Sequence, residues 1–329
     1  MIVKPEQLAV TAPDLPFISG QALRELVPMG DAIEASRRGF LAASKGELRV
    51  PLRSSLCDGR ILIMPAEHFS GSGVIKIIGT ASGSEFGPLP GIDGAVLWID
   101  GGGGRVGALL DVKALTALRT GAASGLATQI MAREDAALLA MIGSGVQAMD
   151  QIAAVCAVRP ITEIRIQSRR SDNGRTLREQ VLAALPEVCC RVVDTTAEAI
   201  SGADVICTAT RSTEPLFGAT EVGATVHVNA IGAYRPEMCE LPPRLFANAT
   251  TVVVDEVAAA LAEAGDIIRA LAEGALDQDD LVEMGALISS PGRGCGGVTV
   301  FKSVGIAAQD WSMAELAVQR ARECGLVPS

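Results

Sequence analysis

The sequence predicts an α/β protein in which a doubly wound parallel sheet is joined to a smaller α+β domain. A glycine-rich turn at residues 143–148 lies between a short apolar run and a segment with helical periodicity. After this turn, short apolar runs alternate with helical patterns, which is typical of a parallel sheet. Before it, short β-forming runs are separated by turn residues, which favours an antiparallel sheet.

The composition narrows the class of protein. The 329 residues exceed one ordinary hydrophobic core, so two domains are expected. The formal net charge of −10, without a basic stripe, argues against a nucleic-acid partner. The apolar runs fall short of membrane-spanning length, and residues 1–16 lack the pattern of a signal peptide. We therefore expect a cytoplasmic protein without membrane contact.

The cysteines and histidines argue against a disulfide framework and a metal centre. Eight cysteines are scattered without a C-x-x-C spacing, and His68 and His227 are the two histidines. We predict no bound metal. Acid–base chemistry therefore depends on lysine, aspartate, glutamate or one of the rare residues.

The first half of the chain is predicted to form a helix and a small antiparallel sheet or barrel. Asp31 is a suitable N-cap for a helix within residues 17–45. Asp58-Gly59 is a hairpin-turn signal between two strands. The predicted strands cover residues 48–52, 60–64, 73–78, 94–99 and 106–110.

A long alanine-rich helix over residues 115–133 is predicted to bridge the two domains, because it leads directly into the strand before the glycine turn. The last helix is expected to return to the first domain. The predicted strands of the second domain cover residues 136–142, 164–167, 191–194, 204–208, 225–231, 251–255 and 298–301. The other predicted helices follow residue 148 and cover residues 176–185, 196–200, 255–273, 277–287 and 311–324.

The motif Gly143-x-Gly145-x-x-Ala148 has the physical features of a dinucleotide-binding turn. Gly143 allows the tight turn, Gly145 lets the backbone approach a pyrophosphate, and Ala148 lets helix and strand pack closely. The helix N-terminus presents N–H groups and a positive dipole end to the anion. The alternative is a glycine turn in an ordinary βα unit. The predicted nucleotide-binding residues of this Rossmann-type domain are Gly143, Ser144, Gly145, Val146 and Gln147.

The end of the next strand favours NADPH, with NADH as the alternative cofactor. NAD-selective folds usually carry an acidic residue there, whereas this chain has Ser168, Arg169 and Arg170. A hydroxyl and a guanidinium attract the 2′-phosphate that a carboxylate would repel. The alternative is that the two arginines only begin a solvated helix.

Lys76 interrupts the apolar run Val74-Ile-Lys-Ile-Ile78. A buried ammonium is costly unless it is paired or takes part in chemistry. In a partly dry cleft, a lysine holds a substrate carboxylate or exchanges protons with an imine or amine nitrogen. The alternative is that Lys76 points outward from an edge strand.

The residues alone leave the roles of four other charged side chains open. Arg49 and Arg53 lie on one short stretch, and Arg119 lies on the bridging helix. Taken alone, each arginine is typical of a protein surface. Asp310 precedes the last helix, where an N-cap is its alternative role.

Several motifs resemble the ornithine cyclodeaminase/mu-crystallin family. They lie at residues 115–127, 141–148, 228–232 and 299–305, and the similarity extends from Arg49 to Asp310. The resemblance implies a homodimer with a Rossmann domain over residues 119–302. It also implies a substrate-binding and dimerisation domain over residues 1–118, completed by residues 303–329.

The resemblance also implies site residues by position. Arg49, Arg119 and Asp310 would bind the substrate, with the arginines on its carboxylate. Lys76 would be the catalytic or carboxylate-binding lysine. The residues that would contact the cofactor, besides the glycine turn, are Thr120, Ser168, Arg169, Thr208, Asn229, Ala230 and Ile231.

One position departs from the cyclodeaminases, which carry an aspartate two residues after the glycine of their Asn-Ala-x-Gly motif. Here Tyr234 takes that place after Asn229-Ala-Ile-Gly232, and Arg235-Pro236 follows, as in the mu-crystallin-like reductases. Residues 165–170 also resemble the NADPH-using ketimine reductases. The resemblance therefore implies reduction of a preformed cyclic imine rather than cyclisation of ornithine.

The predicted function is NADPH-dependent reduction of a small cyclic 2-imino acid. Examples are Δ1-pyrroline-2-carboxylate and Δ1-piperideine-2-carboxylate, which give L-proline and L-pipecolate. Lys76, or a water that it holds, would protonate the imine. The alternatives are an ornithine cyclodeaminase, an alanine-type dehydrogenase and, outside the enzymes, a crystallin-like NADPH-binding protein.

Overall fold

Two sheets organise the protein, whose computed structural model describes residues 15–57, 59–79, 93–290 and 296–328. The first sheet is mainly antiparallel and the second is parallel throughout, which confirms the predicted α/β class and the parallel sheet. No helix in the described part of the chain is both long and apolar enough to cross a membrane.

The first sheet contains seven strands within the described residues. They are β1 (Phe17–Ile18), β2 (Leu48–Arg49), β3 (Ser54–Leu56), β4 (Ile61–His68), β5 (Gly73–Gly79), β6 (Asp93–Ile99) and β7 (Val106–Asp111). Their order is β1-β7-β6-β5-β4-β2, with β3 also paired to β4. The sequence does not predict β1 and β3, because two or three residues are too few to show an alternating pattern.

The segment around β2 and β3 differs from the predicted strand over residues 48–52. The ladder stops at Arg49, because Pro51 lacks the N–H group that a paired strand needs. Asp58 of the predicted hairpin turn lies outside the described residues. The strands on either side of it, β3 and β4, form an antiparallel pair in which Leu56 lies opposite Ile61.

The second sheet contains eight parallel strands within the described residues. They are β8 (Leu138–Ile142), β9 (Glu163–Gln167), β10 (Cys189–Val193), β11 (Val205–Thr208), β12 (Val226–Ala230), β13 (Ala249–Val254), β14 (Leu281–Glu283) and β15 (Val298–Lys302). Their order is β10-β9-β8-β11-β12-β15-β13-β14. The strand order reverses at β8, and ligands of doubly wound sheets bind at the carboxyl ends of the strands beside such a reversal.

The helices pack on both sheets. They are α1 (Gly20–Leu26), α2 (Met29–Ser44), α3 (Val112–Met131), α4 (Ala148–Val158), α5 (Ser171–Ala184), α6 (Thr196–Ile200), α7 (Pro243–Asn248), α8 (Val257–Glu263), α9 (Gly265–Ala272), α10 (Met284–Ser289) and α11 (Ala307–Glu323). The last helix, α11, packs against β4, β5 and α2, so the C-terminal segment returns to the first sheet as predicted.

The predicted helices over residues 255–273 and 277–287 are wrong in part. The first divides into α8 and α9 at Gly265, where a Cβ would lie 2.0 Å from Met238 O, so the backbone passes too close to a loop for any other residue. The second begins with a short 3-10 helix and the strand β14, in which Leu281 lies opposite Val252 of β13. Tertiary pairing with β13 overrides the local helical pattern.

Helix α3 carries two of the predicted site residues through the interior. Asp111 caps it by accepting a hydrogen bond from Ala114 N at 2.9 Å, so the helix begins three residues earlier than predicted. Nearly all of its residues are buried, and it packs against α2, α4 and α11. A helix that is buried on every side fixes its polar residues rigidly. Since α3 spans residue 118, the domain boundary there remains a prediction.

Candidate active site

The predicted nucleotide-binding turn joins β8 to α4 and needs glycine at its first position. Gly143 has a φ of +108°, and a Cβ there would lie 2.5 Å from Ala209 O. Its amide donates to Gln167 O at 2.9 Å, which holds the turn against the end of β9. A Cβ on Gly145 would meet no described atom within 4 Å, and Val146 is 74% exposed. The turn therefore leaves open space for a ligand above Gly145.

The surroundings of this turn fit the phosphates of a dinucleotide. Within the described residues, no side chain caps α4 at Gln147. Ala148 N donates to Gly145 O at 3.0 Å, and the N–H groups that follow it in the first turn point to the same end of the helix, where they can bind an anion. The hydroxyls of Ser144 and Ser168 lie 2.5 Å apart, and Arg169 beside them is exposed. The first carboxylate after Ser168 is Asp172, which binds Arg175. Phosphate groups here would meet mainly hydrogen-bond donors and positive charge.

Two of the predicted cofactor residues use their hydroxyls inside the protein. Thr208, at the end of β11, donates to Glu240 Oε2 at 2.9 Å. Thr120 donates to Thr116 O of its own helix at 2.7 Å. Ile231 donates its backbone N–H to Thr208 O at 3.0 Å, which joins the ends of β11 and β12. The contacts of Thr208 and Ile231 fix the carboxyl ends of β11 and β12 relative to each other.

The side chain of Asn229 makes its contacts inside the protein. Its amide donates to Thr128 Oγ1 of α3 at 2.9 Å, and its Oδ1 lies 3.1 Å from His227 Nε2. Burial lowers the pKa of His227 to about 4, so this imidazole is neutral. Successive residues of a strand face opposite sides, so Ala230 rather than Asn229 shares the face of Thr208. The Asn229 side chain is therefore occupied inside the protein, and the role of Asn229 in cofactor binding stays a prediction.

The carboxyl ends of four neighbouring strands form one continuous edge. Its order is β8, β11, β12 and β15, from the glycine turn to the loop after Lys302. Strands in a sheet are about 4.8 Å apart, so this edge extends about 14 Å. A nucleotide with its pyrophosphate on the glycine turn would extend along this edge towards the second group of predicted residues.

Three buried charged side chains meet beyond the end of β15. Lys76 Nζ of β5 lies 2.6 Å from Asp310 Oδ2 of α11, and both side chains are completely buried. Arg119 Nε of α3 lies 3.2 Å from Asp310 Oδ1. The structure therefore brings together three of the predicted substrate-site residues, each from a different part of the chain. Lys76 faces the protein interior, which excludes the alternative in which it points outward.

The interior position of Lys76 changes its proton affinity. Burial, with a further contribution from the Arg119 charge, lowers the pKa of Lys76 from 10.5 to about 7, although Asp310 acts in the opposite direction. The ammonium and the neutral amine are therefore both accessible near neutral pH. A group that titrates there is suited to giving and taking protons.

Arg119 is held in place by contacts on several sides. Its Nη1 donates to Gln309 Oε1 at 2.7 Å, and Gln309 Nε2 donates to Asp255 Oδ1 at 3.3 Å. Asp255 Oδ2 also accepts the backbone N–H of Gly305 at 2.7 Å. Gly305 has a φ of +79°, and a Cβ there would lie 2.3 Å from the Arg119 guanidinium. The loop after β15 is therefore folded directly onto this arginine.

A cleft opens next to this cluster. The residues that line it include Arg53, Met64, Glu263 and Gly305. Arg53 Nε donates to Glu263 Oε1, and its Nη2 donates to Tyr234 O at 3.2 Å. Its side chain is 10% exposed, so the guanidinium reaches the cleft while remaining largely buried.

Arg53, rather than the predicted Arg49, is the second arginine beside the cluster. Arg49 is exposed and lies opposite Glu67 of β4, whereas Lys76 lies opposite Met64. Residues directly opposite each other on paired strands share a face of the sheet, and successive residues of a strand alternate between faces. Glu67 and Met64 are three residues apart on β4, so their partners Arg49 and Lys76 face opposite sides of the sheet. The prediction that Arg49 and Arg119 bind one carboxylate is therefore not supported by this geometry. The sequence contains no local signal that distinguishes the two arginines.

Other residues at the site carry no sequence signal either. Gln309, Asp255 and Glu263 are ordinary polar residues until the fold brings them beside Arg119 and Arg53. Tyr234 is half-buried, and the Arg235 guanidinium lies 5.7 Å from the centre of its ring. In the described part of the chain, no group of histidine, cysteine and carboxylate side chains is arranged to hold a metal ion.

Comparisons with known proteins show the family of this chain. The family model "Ornithine cyclodeaminase/mu-crystallin family" matches residues 19–325, so the chain belongs to this family. It is similar to a Delta(1)-pyrroline-2-carboxylate reductase of Bacillus cereus, with 36% identity over 94% of this chain and 97% of the relative. It is also similar to the mouse ketimine reductase mu-crystallin, with 31% identity over 86% of this chain and 89% of the relative.

A solved structure is similar over nearly the whole chain. It is Thermococcus litoralis Delta(1)-pyrroline-2-carboxylate reductase in complex with NADH and L-proline. Its TM-score is 0.89, with 30% identity, and the match covers 96% of this chain and 100% of the other. The family that the motifs resemble is therefore confirmed.

We expect the lowered pKa of Lys76 to appear in the pH dependence of stability. Between about pH 7 and 10.5 the unfolded chain holds a proton that the folded protein has lost. The contribution of Lys76 to the free energy of unfolding should therefore rise with pH across this window and level off below it. Urea unfolding of the wild type and of Lys76→Met from pH 6 to 10 gives the difference between their free energies of unfolding at each pH. A difference that stays flat across the window would contradict the lowered pKa, and the exposed Lys45, replaced by Met, is the control.

Proposed function

We propose that this protein is an NAD(P)H-dependent reductase of cyclic 2-imino acids, which converts Δ1-pyrroline-2-carboxylate to L-proline and Δ1-piperideine-2-carboxylate to L-pipecolate. The observation that carries the proposal is the buried Lys76–Asp310–Arg119 cluster at the end of a dinucleotide-binding edge. The names of the relatives in Bacillus cereus and mouse support the same chemistry.

The bound cofactor would supply the hydride for the imine carbon. The chain has to position the imine and supply a proton to its nitrogen. Arg53 at the cleft and Arg119 behind Gly305 offer guanidinium groups from two directions to the substrate carboxylate. Holding a small rigid ring in one orientation contributes much of the rate of such a reaction.

Lys76 is the proposed proton donor. Its Nζ is fixed by Asp310 at 2.6 Å, and its pKa of about 7 makes it a stronger acid than an ordinary lysine. After the proton moves to the imine nitrogen, the neutral amine of Lys76 stays beside Asp310. Once the product has left, water that enters through the cleft returns the proton to Lys76. Water is otherwise excluded from Lys76 and Asp310, which strengthens the interaction between their charges.

The site does not favour cyclisation of ornithine. The chain has Tyr234 two residues after Gly232, and the backbone oxygen of Tyr234 is occupied by Arg53. A phenol lacks the negative charge with which a carboxylate would hold the amine of ornithine. We therefore propose imine reduction rather than cyclodeamination, and ornithine is included below as a test.

Three further properties belong to the proposal. Ser168 and Arg169 beside the glycine turn favour NADPH over NADH, because they offer donors to a 2′-phosphate. The protein acts in the cytoplasm. It also forms a homodimer through the outer face of the first sheet.

The outer face of the first sheet supports the dimer. One row of directly opposite residues on this face contains apolar side chains from five strands. These residues are Phe17, Leu109, Leu97, Ile75 and Pro65. Phe17 at the end of the row is 61% exposed. Ile77, two residues after Ile75 on the same face of β5, is 40% exposed. A continuous apolar sheet face of this kind is usually covered by another protein surface, here by a second copy of the chain.

The main test is the loss of NADPH absorbance with Δ1-pyrroline-2-carboxylate, beside the same assay with NADH and an assay of ornithine with NAD. We expect imine-dependent oxidation that is faster with NADPH. Lys76→Met should lower kcat at least about 100-fold, because the loss of a general acid costs that much, and should leave NADPH binding nearly unchanged.

Each of these assays has a result that would contradict the proposal. Release of ammonia from ornithine without oxidation of NADPH by the imine would show a cyclodeaminase. Faster turnover of NADH would contradict the cofactor preference. Turnover of Lys76→Met near the wild-type rate would remove Lys76 from the mechanism.

The two arginines of the 49–53 stretch give a matched pair of variants. We expect Arg53→Ala to raise KM for the imino acid at least about tenfold, because a buried charge-assisted hydrogen bond contributes about 1.5–3 kcal/mol. Arg49→Ala should change KM less than about twofold, since its side chain is exposed on the other face. Steady-state kinetics of both variants measure KM for the imino acid. The opposite order would restore Arg49 as the carboxylate ligand.

The dimer is tested by sedimentation equilibrium of the wild type and two lysine variants. Ile77→Lys places a charge on the outer face of the first sheet and should produce monomers. Leu326→Lys changes an exposed leucine near the C-terminus, which is 60% exposed, and should leave the dimer intact. A monomeric wild type, or an Ile77→Lys variant that remains fully dimeric, would refute this interface.

A further inference from the structure

Three completely buried charged residues lie behind the edge that joins the glycine turn to Arg119. They are Glu240, Asp266 and Lys302, each 0–1% exposed. Lys302 Nζ lies 2.8 Å from Asp266 Oδ2. Asp266 Oδ1 accepts the backbone N–H of Glu240 at 2.7 Å and that of Leu241 at 3.0 Å. The three charges therefore form one connected cluster.

Glu240 is surrounded by hydrogen-bond donors. Its Oε1 accepts from Thr210 N at 2.6 Å and Thr210 Oγ1 at 2.8 Å. Its Oε2 accepts from Thr208 Oγ1 at 2.9 Å and Gly232 N at 2.8 Å. Four donors occupy the four acceptor positions of an ionised carboxylate, and two of them, one on each oxygen, are backbone N–H groups that can only donate. Burial raises the pKa of Glu240, whereas the Lys302 charge and the hydrogen bonds from Thr210 act in the opposite direction, and the four donors favour the charged form.

The cluster carries one net negative charge. Lys302 and Asp266 compensate each other as an ion pair, which leaves the charge of Glu240. Water does not screen this charge, because the side chains have almost no exposed surface. Its field therefore extends to the groups that touch Thr210 and Gly232.

The position of Glu240 relates this charge to the proposed nucleotide site. Thr208 and Thr210 lie at the end of β11, and Gly232 follows β12; these are the two strands between the glycine turn and β15. A Cβ on Gly232 would lie 2.4 Å from both Glu240 Oε1 and Thr210 O, so the loop packs directly on the carboxylate. A Cβ on Gly143 would lie 3.3 Å from Thr210 Cγ2, which links the same residue to the glycine turn.

We propose that the buried carboxylate of Glu240 sets the balance between the oxidised and reduced forms of the bound nucleotide. This inference rests on the proposed function and deepens it. The oxidised nicotinamide ring has a positive charge that the reduced ring lacks, so a nearby unscreened negative charge favours the oxidised form. The reduced nucleotide thereby becomes a better hydride donor to the imine. Glu240 acts through Thr210 and Gly232 and has no direct contact with substrate.

The experiment measures the dissociation constants of the wild type for NADPH and NADP⁺, and for NADH and NAD⁺, by nucleotide fluorescence and competition. Glu240→Gln removes the charge with little change of shape. We expect its ratio of the constants for oxidised and reduced nucleotide to rise about tenfold, in favour of the reduced form, which corresponds to about 1.4 kcal/mol. Both constants come from one protein preparation, so a partly folded sample does not alter their ratio.

Two other variants test the sign of the effect. Asp266→Asn removes a negative charge but keeps the acceptor oxygen for Glu240 N and Leu241 N, so it should shift the ratio in the same direction. Lys302→Met leaves the four donors to Glu240 in place and adds to the net negative charge, so it should shift the ratio towards the oxidised form. These variants also decide the question if Glu240→Gln does not fold.

The outcomes separate the inference from the proposed function. If the wild type binds none of the four nucleotides, the proposed function fails and the inference with it. If the wild type binds nucleotide but the variants weaken both redox forms equally, the proposed function stands and the inference is wrong. Opposite shifts for Asp266→Asn and Lys302→Met would support the electrostatic role, because a purely structural role would not reverse sign.

Discussion

The buried pair of Lys76 and Asp310 is the interaction on which the rest of the site depends. Both side chains are completely removed from water, and their closest atoms are 2.6 Å apart. Breaking a buried ion pair by removing one partner costs about 3–5 kcal/mol, because it leaves the other charge unpaired in the interior. Lys76 belongs to the first sheet and Asp310 to the last helix, so the C-terminal segment has to dock before either charge is compensated. Arg119 adds a third element, the buried helix α3. The site can therefore form only when three distant segments meet.

The interior charges are organised in separate groups along one edge of the second sheet. Lys76 and Arg119 share Asp310, Arg53 pairs with Glu263, and Lys302 pairs with Asp266. The pairs of Arg53 with Glu263 and of Lys302 with Asp266 are neutral, whereas the group on Asp310 carries one net positive charge when Lys76 is protonated. Glu240 contributes one negative charge near the middle of the edge. A small anionic substrate therefore enters a region in which positive groups are already oriented and paired. Such preorganisation lowers the cost of arranging charges during a reaction.

Family membership does not say how each of these groups acts. The chain belongs to the ornithine cyclodeaminase/mu-crystallin family, whose members include named reductases of cyclic imines. The chemistry of an individual member depends on its side chains. In this chain the polar residues next to the cleft are Arg53, Glu263 and the backbone of Tyr234, and they determine what the cleft can hold.

The sequence by itself determined the local features of this protein. The glycine turn, most strands of the two sheets and the unusual lysine in an apolar strand depend on neighbouring residues, so period and turn chemistry predict them. The tertiary structure decided which charges meet. Arg119 and Gln309, for example, are 190 residues apart and hydrogen-bonded. It also decided that Arg53 reaches the cleft while Arg49 and the side chain of Asn229 face elsewhere, because a shift of one residue in a strand reverses the face. Local patterns do not contain these pairings, since the partner of a buried charge is fixed by packing between segments that are remote in sequence.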